Sequence, residues 1–193
     1  MGNDQEIFNF IILSPQIGAT LPDWLFINTP LPMIKVLFVC LGNICRSPLA
    51  EAILTQKVKE RGLSKSIVVD SCGTSDFHIG ELPDERALAC AAKHQLNIQH
   101  RGRQILRSDF KGFDYLIAMD SSNLENVRKL AGKYKIIPKN LFLMSNFKNG
   151  IEFNDVPDPY YGGEEGFEEV YEILNSSIDE LLQTLEKELV NND

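Results

Sequence analysis

Residues 34–48 read IKVLFVCLGNICRSP, and no other stretch limits the fold of this chain so tightly. Ile34–Val39 is short, rich in β-branched residues and apolar except at Lys35, the pattern of a strand buried on both faces. It runs into a turn containing Gly42. Ser47-Pro48 then marks a helix start, with Ser as N-cap and Pro at the first helical position. A buried strand passing directly into a helix is the first half of a βαβ unit.

The alternation continues. Leu49, Ile53, Leu54 and Val58 give the first helix one apolar face, and Gly62 ends it. Strands are predicted at Ile67–Asp70, Tyr115–Met119 and Leu141–Met144, separated by an Ala-rich helix over Pro83–Leu96 and a polar one over Ser122–Leu130. Apolar residues from Phe167 to Leu189 recur at helical intervals, so Glu165–Leu189 reads as a long amphipathic helix. The expected fold class is therefore α/β, a single domain with a central four-stranded parallel sheet and helices on both faces, Rossmann-like. In such folds ligands bind beyond the C-terminal ends of the strands, which directs attention to the turn Cys40–Ser47.

The 193 residues suit one domain, and a 44% hydrophobic content supplies an ordinary core. With 19 basic and 27 acidic side chains the net charge is −8, which argues against broad binding to nucleic acid. The longest apolar runs, Val36–Leu41 and Ala87–Ala92, are six residues, against about 18 for a membrane span. Any anion must be captured by a local site that overrides the global field. Cys40, Cys45, Cys72 and Cys90 form no CxxC pair, so free thiols in a reducing, cytoplasmic setting are expected and a zinc knuckle is not. Residues 1–32 hold four of the nine prolines and no Lys or Arg, and they lack the marks of a secretory or mitochondrial signal. They read either as a weakly structured extension or as a mis-assigned start, since Met33 directly precedes the first strand; 33–193 is the domain.

Within Cys40–Ser47, a thiol is followed six residues later by a guanidinium. Alone the pair is weak evidence; its place on a strand-to-helix turn strengthens it. Successive backbone N–H groups of Leu41, Gly42, Asn43, Ile44 and Cys45 can converge as an anion nest, reinforced by the helix N-terminus. Arg46 adds a planar fork matched to two phosphate oxygens. Cys40 would sit beneath the bound anion, where an electropositive cup favours the thiolate, the nucleophilic form. No Gly-Lys-Ser/Thr follows, so this is not a Walker loop, and no metal ligand is implied.

On these residues the chain resembles a low-molecular-weight protein tyrosine phosphatase over about residues 33–190. The matching motifs are CLGNICRSP at Cys40–Pro48, DSCGT at Asp70–Thr74, HRGRQ at His100–Gln104, AMD at Ala118–Asp120 and PDPYYGG at Pro157–Gly163. The resemblance implies the fold of that family and hydrolysis of phosphotyrosine through a phosphocysteine, with Cys40 as nucleophile and Arg46 as clamp. It implies Asp158 as general acid, later general base. The chemistry asks for such a group, because a tyrosinate leaving group has a conjugate-acid pKa near ~10. Asp155 is the rival carboxylate, and the Asp-Pro dipeptide decides for Asp158. Ser47 is expected to hydrogen-bond the thiolate, Asn43 to hold the loop in left-handed geometry, and Ser71 and His100 to brace Asn43. Asp120 is expected to be structural support. Leu41, Phe77, Tyr160 and Tyr161 would wall the pocket for a phenyl ring. Cys45 is either a redox trap for an oxidised Cys40 or a small apolar filler; Cys72 and Cys90 read as core.

The resemblance implies no cofactor and no metal, phosphotyrosine-containing proteins as partners, and a monomer or weak dimer. Two enzymes share the scaffold. Arsenate reductases need a further closely spaced redox cysteine pair, and only Cys90 lies beyond the second strand. Protein-arginine phosphatases tend to carry Thr where Ile44 stands and lack the double tyrosine. A non-enzymatic phosphotyrosine-binding module would not need Asp158.

Overall fold

The computed structural model describes residues 33–191; the reading of residues 1–32 as an extension or mis-assigned start lies outside the described residues. Four strands, β1 (Ile34–Cys40), β2 (Ile67–Gly73), β3 (Tyr115–Ala118) and β4 (Asn140–Leu143), form one sheet in the order β2-β1-β3-β4, every pair parallel. Five helices accompany them: α1 (Arg46–Glu60), α2 (Glu85–Lys93), the short α3 (Asp109–Gly112), α4 (Ser121–Tyr134) and α5 (Gly163–Asn191). This is the α/β architecture expected. From β1 the chain steps outward to β2, then returns across β1 to β3. The reversal makes the loops after β1 and β3 neighbours at a topological switch point.

Side-chain alternation along β1 divides the interior into two cores. Ile34, Val36, Phe38 and Cys40 face a core filled from α1, α2 and α5, with Leu49, Ile53, Leu174, Ile178 and Leu181 among its members. Leu37 and Val39 face the other way, against Phe110, Leu116, Val127 and Ala131. The lone charge of the strand, Lys35, is its second residue, half-buried, and donates its backbone N–H to Asp114 at 2.9 Å.

Several boundaries differ from the sequence reading, each for a local reason. Cys45, not Ser47, is the N-cap of α1, and Arg46 is its first residue. The Ser47 hydroxyl is drawn instead to Cys40 Sγ at 3.0 Å, so a hydroxyl suited to capping serves the thiol. β2 continues three residues further, because Ser71, Cys72 and Gly73 keep register with Phe38, Val39 and Cys40. α2 begins at Glu85 rather than Pro83, since the Asp84 carboxylate caps it by accepting from Arg86 N at 2.9 Å. It ends at Lys93, just before Gln95 at φ 58°. α4 runs four residues past Leu130, to Tyr134, where Lys135 adopts a left-handed cap at φ 55°. α5 begins two residues before Glu165 and ends two after Leu189. α3 and the 3₁₀ turns Met144–Phe147 and Pro159–Tyr161 are too short to leave a periodicity in the sequence. Among the described residues, no helix is long and apolar enough to cross a membrane.

Leu181 on α5 is fully enclosed, at 0% exposure. Leu181→Ala is expected to cost ~2–5 kcal/mol through lost burial and a residual cavity, read as a lower urea midpoint at unchanged slope.

Candidate active site

β1 delivers Cys40 to the C-terminal edge of the sheet, and the chain must then turn sharply to enter α1 within five residues. Asn43 makes this possible by adopting φ 59°, a left-handed conformation that Asn tolerates better than larger residues. Its side chain is fully buried and all four of its hydrogen-bonding positions are used. Nδ2 donates to Ser47 Oγ and Ser71 Oγ, both at 2.9 Å. Oδ1 accepts from His100 Nε2 at 2.7 Å and Arg103 N at 2.9 Å. Behind this ring Glu51 completes the brace, accepting from Ser71 Oγ at 2.7 Å and lying 3.1 Å from His100 Nδ1. The loop also presses on the neighbouring backbone. A Cβ at Gly73 would lie 2.7 Å from the Leu41 carbonyl, and one at Gly102 would collide with the His78 carbonyl, so both positions need glycine.

Two donors converge on Cys40 Sγ: the Asn43 backbone N–H at 3.2 Å and the Ser47 hydroxyl at 3.0 Å. Ser47 Oγ already accepts from Asn43, so its own proton is available to donate, and the sulfur at 3.0 Å is nearer than the competing Cys72 carbonyl at 3.4 Å.

Arg46 is buried, at 4% exposure, and its fork is held from three sides. Nη1 donates to Asp120 Oδ2 at 2.6 Å and to the Val156 carbonyl at 3.1 Å; Nη2 donates to Asp158 Oδ2 at 3.0 Å. Burial alone would pull the Arg46 guanidinium down. The proximity of Cys40, Asp158 and Asp120 more than offsets it and holds the group above its ordinary value. Asp120 follows β3 and also caps α4, accepting from Asn123 N at 2.6 Å. The switch-point geometry therefore brings the two acids and the guanidinium together.

A cavity of about 270 Å³ opens over this floor. It is lined by the loop residues Cys40, Leu41, Gly42, Ile44, Cys45 and Arg46 and by Phe77, Asp158, Tyr160 and Tyr161. Asn43 and Ser47, grouped by the sequence with the substrate-binding loop, do not line the cavity: the Asn43 amide is used in the brace and the Ser47 hydroxyl bonds Cys40 Sγ. Ser71 and His100 occupy the bracing positions expected of them. Tyr161, 93% exposed, belongs to the rim more than to the wall. Tyr160 packs edge-on against it at 5.1 Å and is held by Arg86, whose Nη1 donates to the Tyr160 carbonyl at 2.9 Å. Asp155 accepts from Ser121 N and Ser121 Oγ at 2.8 Å, which ties it to the start of α4 and away from the cavity.

The sequence reading missed His78, Glu51 and Arg86. His78 lines the cavity beside Phe77 and pairs with Glu81 at 2.6 Å. It sits in a loop without periodicity, so only its nearness to Phe77 could have marked it. Cys45 is pushed up to about 12, first by burial and then by the nearby Asp84 carboxylate, so it stays a thiol at neutral pH.

A thiol, a guanidinium and a carboxylate meeting at the switch point of a parallel sheet define a class: α/β proteins that hold an oxyanion above a cysteine. The family within that class is fixed by comparison. The family model described as low molecular weight phosphotyrosine protein phosphatase matches residues 35–191, and the chain belongs to that family. The low molecular weight phosphotyrosine protein phosphatase of Schizosaccharomyces pombe is 44% identical over 139 residues, covering 72% of this chain and 88% of that one. A crystal structure of a protein tyrosine phosphatase from Entamoeba histolytica superposes with a TM-score of 0.75 at 39% identity, covering 80% of this chain and 97% of the other. A Drosophila arginine phosphatase also superposes, with a TM-score of 0.74 at 37% identity over 78% of this chain and 97% of its own.

Asn43→Ala would remove the amide from its four partners and leave the left-handed backbone without the hydrogen bonds that hold it. The expected cost is ~2–4 kcal/mol of stability, and hydrolysis of an aryl phosphate should fall about 10²-fold as the cup loses its shape. Urea denaturation and steady-state kinetics on the same preparation check both.

Proposed function

We propose that this protein hydrolyses phosphotyrosine by a two-step phosphoryl transfer through a phosphocysteine. The observation that carries the reading is Cys40 Sγ lying under two hydrogen-bond donors on the floor of a cavity whose sides bear Arg46 and Asp158.

In the first step the Cys40 thiolate attacks phosphorus in line with the departing tyrosyl oxygen. Charge is spread over the three equatorial oxygens, so catalysis rests on positioning and electrostatics. The Arg46 fork takes two of those oxygens, and the loop N–H groups and the N-terminus of α1 take the third. Asp120 keeps hold of Nη1 and so fixes the plane of the fork. Asp158, relieved of Nη2 by the phosphate, delivers a proton to the leaving oxygen. In the second step the same carboxylate accepts a proton from water as it attacks the phosphocysteine, and inorganic phosphate leaves. Every group named belongs to the chain or is water.

Specificity for tyrosine follows from depth and walls. Cys40 is buried while Tyr160 and Phe77 on the same cavity are exposed, an arrangement that suits an aromatic ring bearing the phosphate better than a short serine phosphate. Arginine phosphate is the second reading, supported by the similarity to the Drosophila protein; the aromatic lining and Ile44 favour the first. Cys45 lines the same cup, which supports a protective role: its thiol can displace water from an oxidised Cys40 to give a disulfide.

A panel of matched phosphotyrosine, phosphoarginine and phosphoserine peptides tests the substrate class. Phosphotyrosine should turn over and Cys40→Ser should abolish the activity; preference for phosphoarginine would replace the reading. Asp158→Ala should slow phosphotyrosine hydrolysis by about 10²-fold or more and p-nitrophenyl phosphate hydrolysis much less, since nitrophenolate leaves without a proton. Equal losses on both substrates would remove Asp158 from the acid role.

A further inference from the structure

Away from the catalytic cup, α2 and α5 meet along a seam that holds three potential metal ligands. Cys90 lies on the buried face of α2, His94 follows four residues later on the same side, and Glu168 faces them from α5. Their donor atoms, Cys90 Sγ, His94 nitrogen and a Glu168 oxygen, all lie within 4.8 Å of one another. We propose that Cys90, His94 and Glu168 bind one divalent cation of the zinc class and so tie α2 to α5.

The set is partly assembled. His94 Nε2 is 2.8 Å from Glu168 Oε2, and the imidazole is stacked on Tyr171 with centroids 3.5 Å apart, which fixes the plane in which Nε2 points. Zinc bonds of ~2.0–2.3 Å put tetrahedral donors roughly 3.5 Å apart, so about an ångström of side-chain adjustment closes the triad. Thiolate, imidazole and carboxylate suit zinc better than magnesium or calcium, and three protein ligands leave a fourth position for water. A cavity of about 110 Å³, bordered by Cys90, Glu164, Phe167 and Glu168, gives that position access to solvent.

The charges balance. Without a cation the Cys90 thiol is placed to donate its proton to the Phe167 carbonyl at 3.5 Å. Cation binding breaks the S–H bond, forms the S–metal bond and releases the proton to water. Thiolate and carboxylate together then neutralise the two positive charges. The resident competitor is Lys93, whose Nζ lies 2.8 Å from Glu168 Oε1. It is exposed and bonded to the other carboxylate oxygen, so a doubly charged ion can displace it. Arg86, the other cation bordering the cavity, is committed to Asp84 and to the Tyr160 carbonyl.

The seam matters because α2 reaches the active site at its other end. Asp84 N donates to the Ile44 carbonyl of the phosphate loop at 2.9 Å, and Arg86 holds the Tyr160 wall. A cation joining α2 to α5 clamps the supports of that wall without touching substrate.

The test uses the full chain carrying Cys40→Ser and Cys45→Ser, which removes both thiols of the cup, titrated with Co²⁺ alone and then with Zn²⁺. Saturable one-to-one binding is expected, with a thiolate-to-cobalt charge-transfer band that Zn²⁺ bleaches and a rise in melting temperature on metal addition. Adding Cys90→Ser should abolish the band. Glu168→Gln and His94→Ala should each weaken binding at least about tenfold, whereas Lys93→Ala, which frees the carboxylate, should strengthen it. The proposal is overturned by a band that survives Cys90→Ser, by the absence of one-to-one binding, or by an affinity indifferent to Glu168 and His94. Because Lys93 is exposed and Glu168 only half-buried, their variants decide the matter even if Cys90→Ser fails to fold.

Discussion

Everything at the active end of this molecule hangs on one amide. Asn43 turns the chain through left-handed geometry just beyond Cys40, and its four hydrogen bonds join the phosphate loop to α1, to β2 and to the segment around His100 and Arg103. Each bond is worth about 1 kcal/mol net, but the alternative is a buried amide and four buried partners left unpaired, which costs far more. The loop is thus rigid before any anion arrives. Rigidity is what a nest of N–H groups requires, since their combined field is strongest when none has to reorganise.

The sheet order explains why the remaining groups arrive. Cys40 ends β1 and Asp120 lies just beyond β3, adjacent parallel strands that reach the same edge of the sheet, and the Val156–Asp158 segment is drawn to that edge by Val156 N bonding the Met119 carbonyl at 2.9 Å. Arg46 meets Asp120, Asp158 and the Val156 carbonyl as a consequence of topology, although more than 70 residues separate them in sequence.

The sequence was most informative where physics is local. The buried strand, the Gly-containing turn and the apolar face of α1 were legible because each depends on neighbours within a few residues. The convergence of Cys40, Arg46 and Asp158 was legible through motif resemblance. What could not be read were contacts whose partners come from distant elements: Glu51 bracing Ser71 and His100, Arg86 holding the Tyr160 wall. Cys90 shows the same limit. A cysteine among alanines reads as core, and only the packing of α5 against α2 puts Glu168 beside it.

Charge bookkeeping in the cup resolves the difficulty set by a net charge of −8. Arg46 is a single positive group, and two carboxylates already share it. A phosphate dianion added above a thiolate would bring more negative charge than one guanidinium can balance. In the proposed reaction two features would meet the excess: backbone N–H groups, which attract an anion without carrying a formal charge, and the proton that Asp158 must carry as general acid, which would remove one of the competitors for Arg46. On that proposal the proton that lets the substrate settle is the proton the leaving tyrosinate needs. Capture and general acid catalysis would then be one requirement, with Asp120, bonded to Nη1 at 2.6 Å, keeping the fork in place when Asp158 lets go.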